Sequence, residues 1–139
     1  MQLVGGFDDL VAEWAGERLG VAFCAPYTAF GIVDDAGSIR GATVFNDFYP
    51  GGNIEMTHVG PGTLTRQVQR GLIRYAFIQC GASRLTAKTP FRNAMVRRLL
   101  PKAGFRYEFT QKRYFGPERG DDALCYVLFR EDAAKWLEN

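Results

Sequence analysis

The stretch that decides the fold is Asn53-Ile-Glu-Met-Thr-His-Val-Gly-Pro-Gly-Thr-Leu-Thr-Arg-Gln-Val-Gln-Arg-Gly-Leu-Ile-Arg-Tyr-Ala-Phe77. It predicts a strand, a Gly-Pro-Gly turn and an amphipathic helix. Glycines let the backbone approach a ligand closely, and a helix start leaves N–H groups free at its positive end. The first helical turn contains no acid, whereas Arg66, Arg70 and Arg74 follow at four-residue spacing. The pattern favours an anion site, although an ordinary turn before a solvent-facing arginine stripe has the same signature.

Length and composition predict one globular domain, residues 1–139. The chain has 139 residues, 47% of them apolar, which is enough to bury a full core. Its apolar runs fall far short of the ~18 residues that cross a membrane, and the N-terminus lacks the layout of a signal peptide, so we expect a cytoplasmic protein. Cys24, Cys80 and Cys125 lack metal or redox spacing. We therefore expect three reduced, buried thiols and no metal site.

Charge is segregated along the sequence. Residues 60–115 contain nine Arg and three Lys against the single acid Glu108, a net charge of +11. Because the whole chain carries only +2, the remainder carries −9. This polarity suggests a polyanionic ligand for the basic part and a cationic one for the acidic part.

Hydrophobic periodicity predicts a strand–helix order of β-α-β-β-β-α-β-α-β-β with a short final helix. The helix between strands 53–59 and 83–89 allows these two strands to pair in parallel. The fold class is therefore α/β (α+β), a mixed, mostly antiparallel sheet of about six or seven strands with helices on both faces. The predicted strands are 1–4, 28–34, 38–47, 53–59, 83–89, 105–115 and 123–129, and the helices are 7–19, 64–79, 91–100 and 131–137.

Residues 74–108, RYAFIQCGASRLTAKTPFRNAMVRRLLPKAGFRYE, carry a family resemblance. Their order of helix, glycine, Arg-Leu strand, Asn-Ala helix, Gly-Phe and Glu resembles the GNAT family, the Gcn5-related N-acetyltransferases. The order of elements agrees over nearly the whole chain and looks most similar to a short branch in phage and prophage genomes. The resemblance implies a GNAT-like acyl-CoA N-acyltransferase fold. It also implies transfer of an acetyl group from acetyl-CoA to a primary amine by direct attack in a ternary complex.

The resemblance also implies where acetyl-CoA binds as co-substrate. Its pantetheine arm would lie along strand 53–59, and its phosphates would meet backbone amides near the helix start and two arginines. Asn93 would bond the pantetheine or a nearby water, or else cap the next helix. The chain departs from the family loop, because the usual leading Arg or Gln is missing and Pro61 has no N–H. The implied binding set is Val59, Gly60, Gly62, Thr63, Leu64, Thr65, Arg66, Arg70 and Asn93.

Two side chains on strand 53–59 are candidates for the general base. Glu55 is the only carboxylate between Asn53 and Tyr107, so it is the first candidate, with a solvent-facing strand residue as the alternative. His58 is the only histidine and titrates in a useful range. It shares strand parity with the apolar residue Met56, which favours a hydrogen-bonded core histidine over a catalytic one.

The general acid of the family is frequently a Tyr, at a position that Leu100 occupies here. Tyr107 or Tyr114 would then protonate the leaving thiolate from the following strand, or solvent would do so, since a thiol pKa of about 8.5 makes a tolerable leaving group. Of the two we select Tyr114, so that the catalytic candidates are Glu55, His58 and Tyr114.

Two other functions stay open at this point. A nucleic-acid-binding module would use the basic segment 60–115, but its charges are spread over two helices and two strands without an interleaved stacking motif. A GNAT-like protein could also bind acyl-CoA without turnover. The amine acceptor, a small molecule or a protein amine, cannot be read from the chain, and a homodimer is an open alternative. We expect no membrane partner.

Overall fold

The computed structural model describes residues 1–138, whose strands form one seven-stranded sheet. The strands are β1 (Gln2–Val4), β2 (Thr28–Val33), β3 (Ile39–Asn46), β4 (Asn53–Val59), β5 (Arg84–Pro90), β6 (Arg106–Gln111) and β7 (Ala123–Phe129). Their order across the sheet is β1-β2-β3-β4-β5-β7-β6. All neighbours are antiparallel except β4 and β5, which are parallel. The predicted mixed, mostly antiparallel sheet is thus confirmed.

Helices cover both faces of this sheet, as predicted. They are α1 (Asp8–Leu19), α2 (Arg66–Arg74) with a π-helical continuation at Tyr75–Gln79, α3 (Ala94–Ala103) and α4 (Ala134–Leu137). On one face, α1 packs its small residues Ala12 and Ala15 against Val44 of β3. On the other, the larger core joins α2, α3 and α4 to alternate strand residues such as Phe45 and Leu85. Successive strand residues point to opposite faces, which explains why Val44 and Phe45 belong to different cores.

The two parallel strands separate halfway along their length. Pairing runs from Asn53 with Arg84 to Met56 with Ala87 and stops there. β4 continues to Val59, held by β3 on its outer side, and β5 continues to its own end, held by β7. Within residues 1–138, no strand pairing joins the final three residues of β4 to those of β5. β4 and β5 are therefore not paired with each other beyond Met56 and Ala87, and we call this parting of the sheet the cleft and these two residues its apex.

The helix predicted at 91–100 begins and ends about one turn later than expected. Pro90 ends β5 rather than opening the helix, and Asn93 caps α3 by accepting a hydrogen bond from the Val96 N–H at 3.3 Å. Pro101 lies inside the helix, because a missing N–H so near the end removes only one hydrogen bond. Gly104 ends the helix instead, with φ of 104° and its N–H donated to the Pro101 carbonyl at 3.0 Å.

Smaller corrections concern the last third of the chain and one cysteine. The strand predicted at 105–115 is only Arg106–Gln111, since the turn after it is held by the Asp122 carboxylate on the Arg113 N–H at 2.8 Å. The helix predicted at 131–137 is a 3₁₀ turn followed by α4. Cys24 is exposed rather than buried, because it is Phe23 and Tyr27 of the segment between α1 and β2 that pack against the smaller core.

Phe77 tests how far the larger core stabilises the fold. Its side chain is 0% exposed, so Phe77→Ala should cost about 3–5 kcal/mol of unfolding free energy through lost burial and a cavity. The neighbouring Ile78 is 52% exposed on the same π-helical turn, and Ile78→Ala should change stability by about 0.5 kcal/mol or less. Urea unfolding measures both variants, and equal losses would show that the described core is wrong.

Candidate functional site

The turn between β4 and α2 is built on glycines. Gly60 has φ of 124°, and a Cβ there would lie 2.6 Å from the Arg40 carbonyl oxygen, so no larger side chain fits. Thr65 caps α2, its hydroxyl accepting a hydrogen bond from the Val68 N–H at 3.2 Å. The preceding N–H groups of Arg66 and Gln67 have no intrahelical acceptor, and the first turn contains no acid. The turn thus presents free amides at the positive end of a helix.

Thr63, which belongs to the implied acetyl-CoA binding set, does not present its amide or hydroxyl at the surface of the turn. Its side chain is fully buried, its hydroxyl donates to the Gly60 carbonyl at 2.7 Å, and its N–H lies 3.4 Å from the same oxygen. Leu64 is half-buried against the larger core. The groups at the turn surface are therefore the amides of Gly62, Thr65 and Arg66, with Leu64 partly covered.

His58 occupies the histidine environment that strand parity favoured. Its Nδ1 lies 2.7 Å from the Thr43 hydroxyl and its Nε2 lies 2.8 Å from the Thr63 hydroxyl. Burial lowers the pKa of His58 to about 4, and the backbone at Gly60 offsets only part of that shift. The ring is neutral near pH 7 and a weak proton acceptor. This environment does not favour proton transfer by His58, and its catalytic role stays a prediction.

The arginine stripe divides along α2. Arg66 is exposed at the first helical position, its guanidinium 5.7 Å from the centroid of the Trp136 ring. Arg70 donates to the Glu138 carbonyl, and Arg74 donates to the Leu137 carbonyl at 3.0 Å. Eight residues of helix span roughly 12 Å, so only the first arginine lies near the turn. The guanidinium of Arg70 contacts the C-terminal segment, and its role in phosphate binding stays a prediction.

A cluster of charged side chains lies at the cleft apex, on the sheet face opposite the larger core. Glu55 lies one residue before the apex on β4, and its Oε1 is 3.3 Å from the Nζ of Lys88, one residue beyond the apex on β5. Both side chains are largely shielded, with 16% and 22% exposed. The ring centroid of Tyr114 lies 4.9 Å from the same Nζ. The structure thus brings together two predicted catalytic residues, Glu55 and Tyr114, around a lysine that the sequence analysis missed.

The position of Lys88 beside Glu55 could have been predicted from the parallel pairing of β4 and β5. Glu55 and Lys88 stand on neighbouring strands with the same parity, which two parallel strands in register place on one face. Burial lowers the pKa of Lys88, but the Glu55 charge, the nearby Tyr114 and the hydrogen bond to Glu55 together raise it above its ordinary value. Lys88 therefore keeps its proton throughout the neutral range. The stability that corresponds to the raised pKa of Lys88 is lost as the pH rises through that pKa.

Two other candidates lie outside this cluster. Asn93 is engaged as the cap of α3, one of the two roles left open for it. The hydroxyl of Tyr107 bonds the Thr110 hydroxyl at 2.7 Å on the edge strand β6, and its ring packs against Tyr126. Leu100, at the position of the family tyrosine, is buried in the larger core. Tyr114 is thus the tyrosine of this set that reaches the charged cluster.

Among residues 1–138, no group of three His, Cys, Asp or Glu side chains could hold a metal ion. None of the helices in that range has both the length and the apolar character to cross a membrane.

Several solved acetyltransferases share this fold. Mutant forms of the spermidine/spermine N-acetyltransferase from Vibrio cholerae match with a TM-score of 0.73 and 13% identity, over 99% of this chain and 100% of that chain. A ribosomal-protein-S5-alanine acetyltransferase from Vibrio fischeri matches with a TM-score of 0.66 and 19% identity, over 90% and 69%. A GCN5-related N-acetyltransferase from Brucella melitensis gives a TM-score of 0.66 and 20% identity over 78% of this chain.

The chain spans about half of the Brucella protein, 53% of its length. No protein-family model and no curated protein sequence matches the chain. At identities of 13–20%, these likenesses establish the fold, and the predicted GNAT acyl-CoA N-acyltransferase fold is confirmed. They do not support the resemblance to a short phage branch.

The Glu55–Lys88 pair makes a measurable prediction. In Glu55→Gln, burial still lowers the pKa of Lys88 while the main opposing charge is gone, so the pKa of Lys88 should fall below its value in the unmodified protein. An NMR titration of the lysine side-chain carbons measures the shift. Glu108→Gln is the matched control, because Glu108 pairs with Arg84 instead, at 3.0 Å. An unchanged pKa in Glu55→Gln would contradict the pairing.

Proposed function

We propose that this chain is a single GNAT-like acetyltransferase domain, residues 1–139, that transfers an acetyl group from acetyl-CoA to a primary amine. The observation that carries the proposal is the position of the cleft. β4 and β5 part at Met56 and Ala87, and the mouth of the resulting cleft lies beside a helix start that has free amides and no acid of its own. A thioester with an extended amide-containing arm and a diphosphate has the chemistry that such a cleft and turn would bind.

The free inner edge of β4 supports binding of the pantetheine arm. Residues 57–59 have no strand partner on the cleft side, so their backbone groups are available to an extended ligand, as in the addition of a peptide strand to a sheet edge. Val59 and Gly60 lead from this edge to the turn. The amides of Gly62, Leu64, Thr65 and Arg66, with the Arg66 guanidinium, are the proposed phosphate donors.

Glu55 is the proposed general base. The acceptor nitrogen attacks the thioester carbon, the carbonyl oxygen becomes an oxyanion, and the nitrogen loses its proton to Glu55 directly or through water. Backbone N–H groups of β4 beyond the apex would stabilise the oxyanion. Collapse of the intermediate breaks the carbon–sulfur bond, and the thiolate takes a proton from Tyr114 or solvent. Positioning in the cleft would supply much of the rate, since effective molarities reach ~10⁵ M.

A cationic primary amine is the acceptor class that we propose. Asp9, Glu13 and Glu17 line a groove of about 680 Å³ between α1 and residues 20–27. Negative side chains at four-residue spacing favour a positively charged partner. The two Vibrio neighbours are named for spermidine/spermine and for an alanine of ribosomal protein S5. The choice between a small amine and a protein amine needs an acceptor screen.

The nucleic-acid alternative gains no support from the arrangement of the basic residues. Lys88, Arg92 and Arg106 each pair with an acid outside the segment 60–115, namely Glu55, Asp121 and Asp132. Arg70 and Arg74 hold C-terminal carbonyls. Three of the eleven net positive charges of this segment are therefore paired with acids, and two further guanidinium groups are engaged by carbonyls rather than free to meet phosphates.

Arg66→Ala should weaken acetyl-CoA binding about 10- to 100-fold, because a charge-assisted hydrogen bond to phosphate contributes ~1.5–3 kcal/mol. Isothermal titration calorimetry measures the dissociation constant. Arg18→Ala is the matched control, since Arg18 is exposed at the end of α1 and stacks on Trp14, with 3.5 Å to the ring centroid. Absence of any binding heat with the unmodified protein at hundreds of micromolar would refute the proposed function.

Glu55→Gln should lower the rate constant of acetyl transfer ~10²- to 10⁴-fold, the usual contribution of a general base, while acetyl-CoA affinity stays unchanged. Thiol release against a panel of cationic amines gives the rate and also identifies the acceptor. Glu108→Gln again serves as the control of equal charge change. Full activity in Glu55→Gln would remove Glu55 from the mechanism.

A further inference from the structure

We infer that His58 is a positioning residue, which ties the anion-binding turn to the sheet through a buried Thr43–His58–Thr63 hydrogen-bonded chain. The effect on acetyl-CoA binding rests on the proposed function, whereas the chain itself is a property of the fold. Thr43 on β3 and His58 on β4 face each other in the strand register, and Thr63 belongs to the turn that follows β4. The single imidazole therefore connects two strands to the start of the ligand site.

The direction of each hydrogen bond follows from the Gly60 carbonyl, which is the last acceptor in the series. A carbonyl oxygen only accepts, so the Thr63 hydroxyl donates its proton to Gly60 at 2.7 Å. That hydroxyl then accepts from the Nε2–H of His58 at 2.8 Å. With Nε2 protonated, Nδ1 of the neutral ring accepts from the Thr43 hydroxyl at 2.7 Å. Only the Nε2–H tautomer makes a hydrogen bond of all three contacts at once.

The backbone around Thr63 leaves room for these hydrogen bonds and excludes solvent from them. Thr43 and Thr63 are both 0% exposed, so solvent cannot replace a lost partner. A Cβ on Gly41 would lie 2.5 Å from the Thr63 hydroxyl oxygen, and a Cβ on Gly60 would lie 3.1 Å from it. Glycine at these two positions gives the Thr63 side chain room to reach the imidazole.

The chain controls the part of the turn that carries the free amides. The Thr63 hydroxyl binds the carbonyl of Gly60, so His58 holds both ends of the short turn 60–63. Thr65, the cap of α2, follows two residues later, and the amides of Gly62 and Arg66 lie on either side of the held segment. Loss of the imidazole should therefore loosen the amide donors without removing any of them.

Three substitutions separate this role from a general contribution to folding. The side-chain amide nitrogen of His58→Gln can occupy the place of Nε2 and keep the bond to Thr63, whereas the shorter side chain of His58→Asn reaches only the place of Nδ1 and keeps the bond to Thr43. His58→Phe loses both bonds. The measurements are the acetyl-CoA dissociation constant by calorimetry, the melting temperature, and hydrogen exchange of the amides from Gly62 to Arg66 in the free protein.

We expect the imidazole ¹⁵N spectrum of the unmodified protein to show the Nε2–H tautomer. His58→Asn and His58→Phe should bind acetyl-CoA about tenfold more weakly, the effect of losing one hydrogen bond, and should exchange the amides from Gly62 to Arg66 faster. His58→Gln should stay close to the unmodified protein in both, even where its melting temperature matches that of His58→Asn. A difference in affinity at equal melting temperature is what a merely structural residue would not produce.

Three results would overturn the inference: the Nδ1–H tautomer, an imidazolium at neutral pH, or equal exchange and affinity in the Gln and Asn variants. Failure of the unmodified protein to bind acetyl-CoA would refute the proposed function alone. In that case the tautomer and the exchange rates of the amides from Gly62 to Arg66 still decide whether His58 holds the turn.

Discussion

The parting of two parallel strands is the constraint on which the rest of this structure depends. β4 and β5 share hydrogen bonds only as far as Met56 and Ala87, although each continues in a ladder with its outer neighbour. Backbone donors and acceptors left inside a sheet are costly unless another partner satisfies them. The separation therefore favours an extended ligand, and it places the turn at the end of β4, with its helix start, at the mouth of the same opening.

The turn and the cleft apex differ in how their charged groups are arranged. Around the turn, α2 begins without an acid and with exposed Arg66, which leaves its positive end available to an anion. At the apex, by contrast, Glu55 and Lys88 neutralise each other on the other face of the sheet. The basic excess of residues 60–115 is thus partly paired within the fold, because Lys88, Arg92 and Arg106 each meet an acid outside the segment. This distribution accounts for a basic segment in a protein whose net charge is only +2.

Several features were predictable because they depend on local pattern. Alternating residues in β2, β3 and β4 and the periodicity of α1 and α2 gave the right elements, and the helix between β4 and β5 implied their parallel pairing. The ends of helices and strands were less predictable, because contacts in the fold can override a local sequence rule. The helix predicted at 91–100 continues through Pro101 to Ala103, and Gly104 supplies the left-handed conformation that ends it. The spacing of Arg70 after the turn predicted a phosphate ligand. Its hydrogen bond to the Glu138 carbonyl depends on where the fold places Glu138, which residue spacing does not reveal.

The amino-acid sequence by itself determined the strand and helix order, the glycine-rich turn and its acid-free helix start, because these follow from side-chain period, backbone freedom and local charge. Only the tertiary structure decided which of these residues meet. The Lys88 ammonium beside Glu55 and the Thr63 hydroxyl beside His58 come from strand register and from the path of one turn. Contacts of this kind join residues through the sheet, so their partners are chosen by packing in three dimensions and not by distance along the chain.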